Sequence, residues 1–187
     1  EPGHVTHAII EDKTGRRAIA AKAFIDASGD ADLAHRAQMD CYKQPRLQPP
    51  TACVMVQGMK DLYNVHGHAY SLNVIFDKQY PEALEPGFVW GAWVPPFEDV
   101  HMIAGTRVHG ADCSDADQLT QAEMEGRRQI RNLTDLLRRR IEGGGNVRML
   151  GIPARIGIRH SRQVHCEHQL TERQVLYGER FDDAIAN

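Results

Sequence analysis

The nonapeptide Phe24-Ile25-Asp26-Ala27-Ser28-Gly29-Asp30-Ala31-Asp32 joins two different periodicities. Before it, Ile19, Ala21, Ala23 and Ile25 fall on every second residue, the period of a strand. After it, Leu33, Ala34 and Ala37 recur at helical spacing. The pattern predicts a strand over Ala18 to Ala27, a turn at Ser28-Gly29-Asp30, and a short helix to about Gln38 with Asp30 as its N-cap. Small residues at a strand end let another molecule approach the backbone closely. Free N–H groups and the positive dipole end of the following helix would suit a phosphate or the edge of a dinucleotide. The same residues also make an ordinary tight strand-to-helix turn.

Upstream, Val5 to Ile10 reads as a strand and Asp12-Lys13-Thr14-Gly15 as a turn, which predicts a β-hairpin. Downstream, Cys41 to Thr51 carries Pro45, Pro49 and Pro50 and reads as a connection. It marks the expected boundary between a segment 1–41 and a segment 42–187. Ala52 to Met59 reads as a strand, Asp61 to Tyr80 fits neither period, and Pro81 to Gly87 reads as a loop. Phe88 to Val94 and Val100 to Val108 read as paired strands joined across Pro95-Pro96.

A long helix is expected from Thr120, where Thr120 and Glu123 have capping-box spacing and Leu119 and Met124 the spacing of a hydrophobic staple. Its buried stripe is Ile130, Leu133, Leu137 and Ile141, and Gly143-Gly144-Gly145 ends it. Strands over Ala154 to Ile158 and Gln163 to His168 follow, then a second capping box at Thr171 and Gln174. Alternating βαβ units are missing. The expected class is α+β, a mainly antiparallel sheet with one long helix and short ones.

Composition narrows the function. The 187 residues are 42% apolar and 25% charged, so a packed core is expected. The formal charge of -3 and the 6% aromatic content argue against nucleic acid and anionic membranes as partners. No apolar run approaches the length of a membrane span, and no basic-then-apolar leader is visible. Cys41, Cys53, Cys113 and Cys166 are scattered, with no CxxC, which fits free thiols in a reducing, cytoplasmic setting.

Arg155, Arg159 and Arg162 fall within eight positions beside an apolar stretch. Guanidinium forks bind carboxylates or phosphates in two-pronged fashion, and they also make ion pairs with neighbours such as Glu167. Arg127-Arg128 and Arg138-Arg139-Arg140 read as a solvated helix face, and Asp112, Asp115 and Asp117 as an acidic loop without a Ca²⁺ pattern. The histidine clusters His66-Gly67-His68 and His165-Cys166-Glu167-His168 lack metal-site spacing, and no metal is expected. On a strand, His165 and His168 would point to opposite faces. Ser161 has no nucleophile-elbow context. Neither GxGxxG nor a P-loop occurs.

Three segments taken together resemble one family. They are Ala21 to Ala34; Gly105-Thr106-Arg107-Val108-His109-Gly110 with Leu119 to Gln129; and Ile156 to Arg162 continuing through Leu170-Thr171-Glu172 and Val175 to Ala186. The chain resembles FAD-dependent oxidoreductases of the glutathione-reductase-like type that carry an inserted substrate domain. The resemblance implies that segment 1–41 returns to the FAD-binding domain and that segment 42–187 is the substrate, or cap, domain. It implies that Ala27, Ser28, Gly29 and Asp30 contact FAD, with Ser28 standing where the family has Thr. It implies that the stretch Arg159 to Arg162 faces flavin and substrate, with His160 in place of Glu and Gln163 in place of a second Arg. Arg159 and Arg162 are then the candidates for binding a substrate anion or stabilising negative charge on reduced flavin.

The implied activity is hydride transfer between a small substrate and FAD. The family's opening GxGxxG and closing cofactor-binding segment are not in the sequence. The expectation is therefore a central piece of a longer flavoprotein that does not retain FAD alone and needs the remainder of the FAD-binding domain as partner. The alternative is a non-catalytic binding or interaction module on the same sheet. A zinc hydrolase using the histidines would instead show stoichiometric metal.

Overall fold

The computed structural model describes residues 3–67, 72–182 and 184. The chain divides into two units. One holds the described residues through Tyr42 and from Arg162 onward; the other is Lys43–Ser161. The fold is α+β, with antiparallel pairing, one long helix and several short ones.

The first unit contains the expected hairpin, β1 (His7–Asp12) paired with β2 (Gly15–Ala20) from His7 opposite Ala20 to Asp12 opposite Gly15. Strand β2 stops at Ala20, not Ala27. Among the described residues no third strand flanks the hairpin, so Ala21 to Ala27 has no ladder to join. Its alternating apolar residues remain exposed, Ile25 at 88%. Helix α1 (Asp32–Arg36) begins one residue later than expected and ends earlier. Its N-cap is Ala31, in the left-handed region at φ 54°, and not Asp30. A short pair, β3 (Cys41–Lys43) with β8 (Arg162–Val164), and helix α4 (Glu172–Tyr177) complete the regular elements of these parts of the chain. The expected capping box is present at α4: Gln174 N–H donates to Thr171 Oγ1, and the Gln174 side chain accepts from the Thr171 N–H. Strand β8 ends before His165, so the opposite-face argument for His165 and His168 lapses. His165 stacks on Tyr42 with ring centroids 4.4 Å apart, and His168 meets Phe181 edge-on at 5.0 Å. His68 and the end of the segment Val175 to Ala186 lie outside the described residues.

The second unit is built on a four-stranded antiparallel sheet. Its members are β4 (Cys53–Gln57), β5 (Trp90–Trp93), β6 (Val100–Ala104) and β7 (Arg148–Gly151), in the order β5-β6-β4-β7. The expected pair across Pro95-Pro96 is β5 with β6. The strand expected over Ala154 to Ile158 does not form; β7 takes the sheet edge instead, and only Thr51 and Gly157 bridge later. The ambiguous stretch supplies helix α2 (Met59–His66) and a 3-10 turn, Leu72–Phe76.

Helix α3 (Ala116–Arg140) covers one face of the sheet. It starts four residues before Thr120 because Asp115 caps it, accepting the Gln118 N–H at 2.9 Å. Thr120 instead donates to the Ala116 carbonyl at 2.9 Å, inside the helix. Met124 is 62% exposed, so no staple forms there. The expected stripe is buried: Ile130, Leu133 and Leu137, joined by Ala122 and Gly126, with Ile141 half-buried just past the helix end. Against them pack Val54, Val56 and Ile103, with Val54 opposite Ile103 in the sheet. Each such aliphatic side chain contributes about 1.5–3 kcal/mol of burial free energy.

Where β4 begins and β6 ends, a buried hydroxyl ties two chain segments. Thr106 Oγ1 accepts the Ala52 N–H at 2.7 Å and donates to the Ala52 carbonyl at 2.8 Å. Thr106→Val leaves both Ala52 groups buried and unpaired. The expected loss is about 1–3 kcal/mol in urea unfolding, with Thr106→Ser close to wild type. A second expectation concerns pH. His101 is 4% exposed, and burial holds its imidazole below the ordinary value of 6.5. The unfolded chain takes that proton more readily. The stability conferred by neutral His101 is therefore complete above 6.5 and lost as pH falls from there toward the native value. Carboxylates such as Asp112, held low in the fold, act only at more acidic pH. Denaturation midpoints measured down from pH 8 should show the upper loss in wild type and not in His101→Gln.

Candidate functional site

Sheet register sets the floor of one cavity in the Lys43–Ser161 unit. Cys53 lies opposite Ala104, and Ala104 opposite Trp90, so the three stand side by side across β4, β6 and β5. They occupy the face opposite to Val54 and Ile103. A cavity of about 190 Å³ opens there, walled also by Thr51, Phe88, Gly157 and two arginines, Arg107 and Arg159.

Helix α3 positions both arginines. Gln129 grips the backbone of Arg107 with paired bonds: its Oε1 accepts the Arg107 N–H, and its Nε2 donates to the Arg107 carbonyl, each at 2.8 Å. The Arg107 guanidinium donates through Nη2 to the Phe88 carbonyl at 2.5 Å, while its Nη1 is buried without a partner among the described residues. A Cβ on Gly87 would lie 2.2 Å from that Nη1, so a side chain there would have to displace the end of the Arg107 side chain. On the Arg159 side, Glu123 Oε1 accepts the Ile156 N–H at 2.6 Å, and Gly157 exchanges two backbone bonds with Thr51, at 2.8 and 3.0 Å. These hold the approach to Arg159. Burial pushes the Cys53 thiol up, and the positive charge of Arg159 draws it back down. His160 accepts the Gln48 N–H at 3.4 Å through Nδ1, and its Nε2 is buried and unpartnered among the described residues.

The other predicted residues lie in the first unit, where Asp26 organises the turn. Its Oδ1 accepts the Ser28 N–H at 3.0 Å and the Ser28 hydroxyl at 2.7 Å; its Oδ2 accepts the Ala34 N–H at 3.0 Å. The Ser28 hydroxyl first, then the backbone N–H groups, hold this carboxyl below its ordinary range. Ser28 Oγ also accepts the Asp32 N–H at 2.9 Å. Arg162 joins the turn from far along the sequence: Nη1 donates to the Asp30 carbonyl at 3.0 Å and lies 3.2 Å from Asp32 Oδ1. Its side chain is 9% exposed, and its ion pair is with Asp32 rather than Glu167. Arg159 and Arg162 thus belong to different units. Ala27, Ser28 and Gly29 are exposed, Gly29 sits at φ +82°, and a Cβ there would meet open space. These residues fit the wall of a cofactor site, since nothing larger than a hydroxyl stands in front of the backbone. They do not form a phosphate cradle, because the Ser28 hydroxyl is already engaged on both sides.

Sequence reading did not assign Arg107, Gln129, Cys53 or Asp26. Arg107 and Gln129 stood inside segments carrying the family resemblance but without a role. The legible signal for Asp26 is the Asp-x-Ser spacing of an Asx turn. Several arginines of α3 make ion pairs, Arg127 with Glu123, Arg128 with Glu125, Arg138 with Asp135 and Arg140 with Glu82. Among the described residues no group of three or more His, Cys, Asp or Glu could hold a metal, and no helix is long and apolar enough to cross a membrane.

A family model described as FAD dependent oxidoreductase matches residues 1–187, and the chain belongs to that family. Comparison with curated proteins and with solved structures gives no match. Flavin-dependent oxidation and reduction is therefore the chemistry of its class.

The coupling of Arg159 to Cys53 gives a direct test. In Arg159→Gln the thiol loses its stabilising cation, so the pH profile of Cys53 alkylation should move to higher pH. An unmoved profile, with Cys53 identified by peptide mapping, would separate the two groups.

Proposed function

We propose that the chain is the substrate-binding part of a glutathione-reductase-like flavoprotein that oxidises or reduces a small anionic substrate. The carrying observation is the convergence of Arg107 and Arg159 on one cavity floored by Cys53, Ala104 and Trp90. Two guanidinium groups, one with a buried N–H unpaired, favour a carboxylate or comparable anion. Bound flavin supplies the hydride acceptor or donor. The protein's share is to hold the anion through Arg159 and Arg107, limit water through Trp90 and Phe88, and keep the Ala27-Ser28-Gly29-Asp30 turn in shape through Asp26 and Arg162.

The reading assigns Lys43–Ser161 to the substrate domain and the other unit to a returning piece of the FAD-binding domain. The first unit supports this: among its described residues Ala34 is the one buried apolar side chain, while Ile9, Ile19 and Ile25 are exposed. Such a surface fits cover from further strands and helices of a dinucleotide-binding domain. The dinucleotide cradle would then come from segments other than these.

Two measurements test this. Purified alone, the chain should lose flavin absorbance on gel filtration; a sample that stays yellow would refute the division of labour. Expressed with the flanking reading frame, it should bind FAD. There Arg159→Gln should lower kcat/KM for anionic substrates about 100-fold or more and for neutral analogues far less. Equal losses on both would remove the anion assignment, and no flavin binding in the longer chain would favour a non-catalytic module.

A further inference from the structure

We propose a second small-molecule site in the Lys43–Ser161 unit, a cavity beside edge strand β5 that takes a neutral, planar aromatic molecule. The cavity is about 470 Å³, within the range of small-ligand sites of about 300–1,000 Å³. Its aromatic walls are Tyr63, Phe88, Trp90 and Trp93, and His101 also lines it. This inference does not rest on the anion reading of the arginine cavity, which shares only Phe88 and Trp90 with it.

Register builds the site. Trp93 lies opposite His101 on neighbouring strands, and Gly91 opposite Ile103, so Trp93, Gly91 and His101 share a face. Trp93 meets the His101 ring edge-on with centroids 4.8 Å apart, and Tyr63 of α2 lies 5.5 Å from Trp93 and 5.8 Å from His101. These are separations at which rings attract one another edge-on or offset. Gly91 lets the His101 ring and Leu72 close against β5: a Cβ there would come within 2.5 Å of His101 Nε2 and 3.0 Å of the Leu72 side chain.

The polar feature is specific. His101 is 4% exposed, its Nε2 is 3.5 Å from the Tyr63 hydroxyl, and its Nδ1 is buried with no partner among the described residues. A buried ring nitrogen without a partner costs stability and is a reason to expect a ligand. Trp90 and Trp93 are 44% and 42% exposed, large apolar rings open at the rim.

The lining also selects charge. Among the described residues the lining contains no Lys, Arg, Asp or Glu, so none of them neutralises an ionic ligand. Burial keeps His101 in its neutral form, able to give or take one hydrogen bond without adding charge. A flat neutral ring matches the ring faces, and one amide- or hydroxyl-like group on it matches the neutral imidazole of His101 with the Tyr63 hydroxyl beside it.

The test is calorimetric titration of the whole chain with benzamide, benzoate and cyclohexanecarboxamide. Imidazole NMR of His101 and tryptophan fluorescence serve as parallel readouts, since Trp93 stands on the His101 face of this wall. Benzamide should bind saturably and shift the His101 resonances. Benzoate and cyclohexanecarboxamide should bind at least tenfold more weakly. Trp93→Leu and His101→Gln should each weaken benzamide at least tenfold, while Arg159→Gln leaves it unchanged. Trp93 is an exposed rim residue, so its replacement should leave the circular dichroism intact. Absence of saturable benzamide binding overturns the proposal. So does equal binding of the non-planar amide, or loss of benzamide in Arg159→Gln but not Trp93→Leu, which would move the ligand to the arginine cavity.

Discussion

Helix α3 packs tightly at Gly126, where a Cβ would lie 3.0 Å from Ile156 and 3.1 Å from Ala52. That packing is the constraint on which the arginine cavity depends. Glu123, three residues earlier, accepts the Ile156 N–H on the chain leading to Arg159. Gln129, three residues later, clamps the backbone of Arg107. The three positions share one helical face, so a single depth of packing sets the position of both cations. Buried apolar residues along the same helix fix that depth, and the polar residues convert it into geometry at the cavity. A side chain at 126 would lift the helix and loosen both arginines together.

Local signals were legible where one residue type settles the matter. The Asp12 to Gly15 turn, the Thr171–Gln174 capping box and the buried stripe of Ile130, Leu133 and Leu137 all rest on neighbours within one or two turns. The errors arose where a distant partner decides. Ala18 to Ala27 has strand periodicity throughout, but a strand needs a ladder, and the hairpin supplies one only to Ala20. At α3, Thr120 and Asp115 both offer capping chemistry; Asp115 wins because the helix hydrogen-bond pattern is already running by Thr120. The Arg-rich stretch contains Arg159, which lines the cavity, and Arg162, which lies in the other unit. The companion of Arg159 in the cavity, Arg107, lies half a domain away in sequence and meets it only through the sheet and α3.

The two units differ in how they are stabilised. The Lys43–Ser161 unit has a continuous core of aliphatic residues, with a polar clasp at Thr106. The other is held largely by hydrogen bonds: the ladder of β1 and β2, the three bonds accepted by Asp26, and the bonds of Arg162 to the turn. Hydrogen bonds open to water contribute little net free energy, so a unit built on them keeps its shape only modestly without apolar cover. The shape of the turn at Ser28 and Gly29 is thus well specified while its support is thin.

Strands β3 and β8 pair with each other at the points where the chain leaves the first unit and comes back to it. The outgoing and returning segments are therefore neighbours, separated by roughly the 5 Å between hydrogen-bonded strands. A module attached through one such doorway imposes little on its host's chain path. It can be lengthened, shortened or exchanged for another while the host keeps its own strand order. In this doorway the chain has a place where recombination disturbs the least.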